Sequence, residues 1–311
     1  ALKNSKSGII AEHKRRSPSK SVINQDLNVQ DVARGYENAG VCGMSILTDS
    51  KYFGGSLDDL ILARASVKMP LLRKEFIIDE YQILEAKAHG ADVILLIAAV
   101  LSRDEIKNLS ELAKSLELDV LLEVHNLEEL EKSIMPSLDM LGVNNRNLKT
   151  FEVSTDISKS LSEKIPSDFV KVSESGISSV EAIQDLKNYG YQGFLIGENF
   201  MKTDNPGAAA KSFINKMKLK VCGMRETENI LDVANLQPDY MGLIFYEKSP
   251  RFVENAIPEI SSEIKKTGVF VNATLDFILK KTHDYKLKAI QLHGEESSEF
   301  CKELKSALNK E

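Results

Sequence analysis

Tryptophan is absent from the 311 residues, and cysteine (three) and proline (eight) are scarce. Cys42, Cys222 and Cys301 are odd in number, far apart and without a C-x-x-C pair, which argues against a disulfide framework and a zinc site. A reducing, cytoplasmic setting fits that usage best. Long apolar runs are missing too: the longest, Val93 to Leu101, falls well short of the ~20 residues that cross a bilayer. The opening ALKNSKSGII has no apolar export segment. Nor is there an excess of positive charge. Lys and Arg number 40 against 46 Asp and Glu, a formal net charge of −6, so nothing draws the whole chain to nucleic acid or an anionic membrane. Any anion must be held locally.

What is present is a march of short apolar runs with helical stretches between them. GIIAEHK (8–14), GMSILT (43–48), PLLRKEF (70–76), DVILLI (92–97), DVLLEVH (119–125), MLGVNN (140–145), FVKVSES (169–175) and GFLIGE (193–198) read as eight strands. Several are continuously apolar, as parallel strands buried on both faces are. Capping-box spacing at Ser102 to Glu105, Asn126 to Glu129 and Ser178 to Glu181 marks helix starts, and Gly90 and Gly190 mark helix ends. Eight βα units in about 200 residues predict an α/β chain whose first part is a (β/α)₈ TIM barrel. An open doubly wound sheet is the alternative, disfavoured because no G-x-G-x-x-G follows the first strand.

Polar residues gather at the C-terminal ends of these runs: Glu12 and Lys14, Lys74, Glu123, Asn144 and Asn145, Glu174 and Ser175. In a barrel those positions converge on the mouth where active sites form. Glu123, flanked by Leu121, Leu122 and Val124, is a candidate for a raised pKa and general-base work. A buried structural ion pair accounts for it equally well. Lys74 becomes a general acid if desolvation or another cation eases release of its proton. His13, Lys14, Arg15, Arg16 and Lys20 concentrate positive charge after the first strand, where phosphate or carboxylate would be met. Gly176 and Gly197 follow the last two strands, where backbone amides cradle phosphate. His13, His89 and His125 show no metal-ligand spacing and read as structural or solvated.

Taken together, IIAEHKRRSPSKS, SILTDSKYFGGSLDDL, PLLRKEFIIDEYQILEAKAHGADVILLIAAVLS, LLEVHN, LGVNNRNLKTFEV, VSESGI and LIGENFM closely resemble the indole-3-glycerol phosphate synthase family over roughly residues 8–205. The resemblance implies closure of 1-(2-carboxyphenylamino)-1-deoxyribulose 5-phosphate to an indole with loss of CO₂ and water. It implies Lys74 as general acid and Glu123 as acid/base of the dehydration. Lys14 would engage the substrate's anionic groups, and Glu12 and Glu174 would tune the lysines. Asn144, Arg146, Ser17, Ser175 and Phe76 would meet the substrate, with Lys14 and the backbone at Gly176, Gly197 and Glu198 taking the phosphate. No cofactor or metal is implied. The implied partners are a small sugar-phosphate substrate and other tryptophan-pathway enzymes. Two departures stand out: only eight or nine residues precede the first strand, where the family usually carries an extra helical segment, and Ser21 replaces a common glycine.

From Met217 the chain reads as a second beginning. KLKVCGMRETENI, PDYMGLIFYEKSPRFV, TGVFVN and AIQLHGEES resemble the opening strands of the phosphoribosylanthranilate isomerase family. That resemblance implies Cys222 as general base, with Arg251 and His293 on the substrate. About four βα units fit before the chain ends, half of a closed barrel, so the expectation is a domain 1–216 followed by an isomerase fragment 217–311 lacking its own activity. A catalytically weak scaffold pairing through the half barrel is the rival reading. Another sugar-phosphate isomerase or aldolase on the same fold is disfavoured.

Overall fold

The structure, a computed structural model, describes residues 1–18, 20–147 and 150–308. Ser19, within the basic loop, Leu148 and Lys149, within the GVNNRNLK stretch, and the terminal NKE lie outside the described residues. The chain divides into two compact units, Ala1–Met217 and Lys218–Glu311.

In the first unit eight parallel strands close a barrel in sequence order: β1 (Ile9–His13), β2 (Gly43–Leu47), β3 (Leu71–Lys74), β4 (Val93–Ile97), β5 (Asp119–Val124), β6 (Met140–Asn144), β7 (Val170–Glu174) and β8 (Gly193–Ile196). Strand alternation sorts their side chains. Ile9, Ala11, Leu71, Ile94, Leu96, Val120, Leu122, Leu141 and Phe194 face outward and form one continuous core with the helices. Ile10, Leu72, Leu95, Leu121, Met140, Val172 and Leu195 fill the barrel interior. Two residues further along the same inward rows stand Glu12, Lys74, Glu123 and Glu174. The barrel floor is therefore apolar and its C-terminal layer charged.

Helices begin where side chains satisfy free backbone N–H groups. Ser102 caps α4 (Arg103–Ser115) in a full capping box with Glu105, and the Asn126 side chain caps α5 (Leu127–Ser133). The cap of α7 (Val180–Asn188) is Ser179, which accepts from the Ala182 N–H, rather than Ser178 as expected. Gly90 and Gly190 follow their helices at φ +89° and +82°, a conformation glycine adopts freely.

The second unit is a four-stranded parallel sheet of order β12-β11-β10-β9, from β9 (Lys220–Cys222), β10 (Tyr240–Ile244), β11 (Lys265–Phe270) and β12 (Ala289–Leu292). Four strands match the half-barrel expectation, but the βα alternation breaks once: among the described residues no helix joins β10 to β11. Ile257 and Ile260 in that irregular connection pack against the unit's core of Met241, Leu243, Phe245, Phe270 and Ile278.

Candidate active site

Three strand ends place their charges in mutual contact. Lys74 Nζ lies 2.8 Å from Glu123 Oε2 and 2.5 Å from Glu174 Oε2, joining β3, β5 and β7. Lys14, one residue past β1, pairs with Glu12 of that strand at 2.7 Å. The Asn144 side-chain amide donates to Glu123 Oε1 at 3.0 Å, and its carbonyl accepts the Arg146 N–H at 3.0 Å. Small residues make the room: a Cβ on Gly142 would lie 2.4 Å from Glu174 Oε1, and one on Gly197 2.5 Å from Glu12 Oε1.

Burial and partners set the protonation pattern. Burial alone would push the Lys74 ammonium down, but Glu123, Glu174 and Glu12 outweigh it and hold Lys74 well above the ordinary lysine range. The free site therefore does not ease release of that proton, contrary to expectation. Of the two readings of Glu123, the structure has the buried ion pair and not the raised pKa: burial pushes it up, yet Lys74 and His125 hold it well below the usual carboxylate range. The raised carboxyl is Glu174, lifted by burial and by Glu123 and Glu12 against the pull of Lys74, to about 7. One ammonium between two buried carboxylates cannot satisfy both. Glu123 keeps the charge because His125 and Asn144 also face it, whereas Glu174 Oε1 has no hydrogen-bond partner among the described residues.

His125, expected to be structural or solvated, lies against this cluster. Its Nε2 lies 3.3 Å from Glu123 Oε1 and its Nδ1 3.1 Å from Glu129 Oε2. The available signal was the spacing: Glu123 and His125 are i, i+2 at a strand end, as are Glu12 and Lys14, and such pairs share a face.

The basic loop disperses. Arg15 is locked to Asp59 at 2.5 and 2.8 Å, Arg16 donates to the Ser50 carbonyl at 2.6 Å, and Lys20 pairs with Glu198. His13 faces away from the mouth, buried, and is depressed to about 4 by desolvation and Arg15. Asn145 is likewise turned away, fully buried with Ser158 and Ser173. Ser17 pairs through its backbone with Lys20, and Phe76 stands exposed just beyond β3. Ser175 and Gly176 follow β7 with φ of +67° and +75°, and the Ser175 carbonyl accepts from Asn145. Gly197 leads into α8 (Glu198–Met201).

On the second sheet, Gly242 leaves space for Cys222, whose Sγ would lie 2.4 Å from an added Cβ, and Gly223 leaves space for Arg251. His293 lies exposed just past β12, its N–H donating to the Phe270 carbonyl at 2.8 Å.

Residues 1–213 match the family model for indole-3-glycerol phosphate synthase. The chain belongs to that family. Residues 219–311 match the model for N-(5'-phosphoribosyl)anthranilate isomerase, so the two families are fused in one chain. An indole-3-glycerol phosphate synthase of Bacteroides thetaiotaomicron is 50% identical over 218 residues, 70% of this chain and 84% of that relative. The tryptophan biosynthesis protein TrpCF of Buchnera aphidicola subsp. Acyrthosiphon pisum is 34% identical over 313 residues, 100% of this chain and 68% of that relative. Against relatives that match nearly the whole chain, the chain spans from 46% to 68% of their length. A solved ligand complex of KGPDC from Streptococcus mutans shares the barrel fold at TM-score 0.54 and 12% identity, covering 67% of this chain and 96% of its own. The expectation that isomerase activity is absent from 217–311 is opposed by the isomerase model's match over 219–311 and by a TrpCF relative that matches both units.

The chain is an enzyme of tryptophan biosynthesis. Among the described residues no helix is long and apolar enough to cross a membrane, and no group of three or more His, Cys, Asp or Glu could hold a metal ion.

Proposed function

We propose that residues 1–216 convert 1-(2-carboxyphenylamino)-1-deoxyribulose 5-phosphate to indole-3-glycerol phosphate. The contact of Lys74 with Glu123 and Glu174 at the barrel mouth carries this reading. Lys74, kept charged by its carboxylates, donates its proton to the sugar carbonyl oxygen as the ring carbon bearing the carboxylate attacks the carbonyl carbon. The cationic ring then loses CO₂ and regains aromaticity. The new hydroxyl leaves as water, with Glu123 passing the protons. Charge already fixed where the transition state develops it needs no reorganisation during the reaction. Glu12 and Glu174 set the charge of the lysines, while Asn144, Arg146, Ser17, Ser175 and Phe76 orient the substrate. Lys14 and the amides at Gly176, Gly197 and Glu198 take its phosphate, and Lys14 is well placed because its charged partner, Glu12, can yield to it.

We further infer that 217–311 serves isomerisation of phosphoribosylanthranilate, with Cys222 as base and Arg251 and His293 on the substrate, supported by the family match over 219–311. The two readings are tested crosswise. Lys74→Ala should abolish the rise of indole fluorescence and leave isomerisation intact, and Cys222→Ala should do the reverse. Turnover of the carboxyphenylamino substrate that survives Lys74→Ala defeats the first reading; isomerisation indifferent to Cys222→Ala defeats the second.

A further inference from the structure

A half-buried pair, His125 and Glu129, adjoins the candidate site. His125 stands two residues past Glu123 and projects from the same face. Glu129, in the first turn of α5, grips it twice: Oε2 accepts the His125 backbone N–H at 2.8 Å and lies 3.1 Å from ring Nδ1. Glu129 is fixed in turn by the Asn126 side-chain amide at 2.8 Å. Swinging the imidazole would break the Nδ1 contact, while the backbone bond keeps Glu129 beside it. Its other nitrogen, Nε2, is buried and 3.3 Å from Glu123 Oε1, but no hydrogen bond is aligned there. A buried donor left unmatched carries a desolvation cost. The arrangement holds a hydrogen bond in reserve.

The groups facing Glu123 are Lys74 from β3, Glu174 from β7, the neutral amide of Asn144 from β6, and His125, while Glu12 of β1 acts on Lys74 and Glu174. Lys74 is the cation that two carboxylates share. When it turns to a substrate oxygen and gives up its proton, Glu123 loses its nearest cation, and burial then favours its protonated form. A second cation, held from behind, prevents it.

We propose that His125, clamped by Glu129, is a positioning residue that keeps Glu123 ionised and completes a hydrogen bond to it when Lys74 engages the substrate. This rests on the lyase reading, because His125 acts only through Glu123. Burial would lower the imidazole, but Glu123 and Glu129 outweigh it and raise it to about 9, so the clamp is charged at neutral pH and discharges as pH rises through that value.

The test uses His125→Gln and Glu129→Gln in the full chain, with kcat and KM followed across about pH 6 to 10.5 and imidazole ¹⁵N shifts recorded on the wild type. The wild-type kcat should fall on the alkaline side as His125 loses its proton. His125→Gln should lower kcat about tenfold or more with KM nearly unchanged and should erase that limb. Glu129→Gln should move the limb to lower pH, and it keeps the test open if the first variant does not fold. An unchanged limb in the variants, or a neutral His125 imidazole at pH 7, overturns the proposal. An inactive wild type, or Glu123→Gln with undiminished turnover, instead sinks the lyase reading on which it rests.

Discussion

Two parallel sheets in this chain present charged or reactive groups from alternate positions of their strands, and they treat them differently. In the closed barrel, Glu12, Glu123 and Glu174 are buried and Lys74 sits between carboxylates. On the four-stranded sheet, every residue of β9 and β12 is half-buried, Lys220 takes the neutral amide of Gln291 as its partner, and His293 is exposed. Eight strands surround their charges with other strands' charges, and four leave one side to water. Closure, more than residue type, is what couples ionisable groups strongly.

A matched pair of substitutions breaks or sharpens this contrast. Gly142 gives room to Glu174 and Gly242 gives room to Cys222, each with an added Cβ 2.4 Å from the neighbouring atom. Gly142→Ala pushes a walled-in carboxylate off Lys74, so thermal unfolding should show a loss of about 2–3 kcal/mol and lyase kcat should collapse. Gly242→Ala pushes a half-buried thiol that can swing aside, and about 1 kcal/mol or less is expected. Equal losses would mean that closure does not matter.

Glu174 supplies a smaller effect that depends on pH. Its folded pKa, about 7, lies above the ordinary carboxyl value, so the folded protein holds the extra proton between those values and stability falls as pH rises through that window. Glu174→Gln removes this dependence. The stability of the variant relative to wild type, read from unfolding midpoints, should therefore climb from about pH 4.5 to 7 and level off above. A flat difference would show that burial does not govern this group.

The smallest effect concerns the helix layer. Ser102→Ala removes the α4 cap and should cost about 1 kcal/mol while leaving kcat unchanged in both assays. A change in turnover would mean that the mouth is not insulated from the outer helices.

Much of this was legible in sequence, and the boundary is instructive. Eight strands and the polar residues ending them follow from local patterns of apolar runs, caps and glycines. Which charge meets which does not. Lys74 finds Glu123 at a separation of 49 residues and Glu174 at 100, so the pull that lowers Glu123 instead of raising it exists only once the barrel closes. Asn144 and Asn145 look alike as a pair, but alternation sends one to the mouth and the other into a buried network with Ser158. Arg15 passes for a ligand-binding cation until Asp59 arrives from α2 (Leu57–Arg64). His125 could have been placed with Glu123 from its spacing, but its clamp to Glu129 needed the turn between β5 and α5.

The pairing of Lys14 with Glu12 and of Lys74 with two glutamates has one more meaning. Each of these lysines waits with an anion of the protein's own in the place a ligand's anion would take. An incoming carboxylate or phosphate does not fall into an empty well of positive charge; it must evict a tenant. Under the proposed lyase reading, a stray anion offering one weak contact gains little by that exchange, whereas a molecule with groups for both lysines offsets more of its cost. The mouth is guarded by imitation.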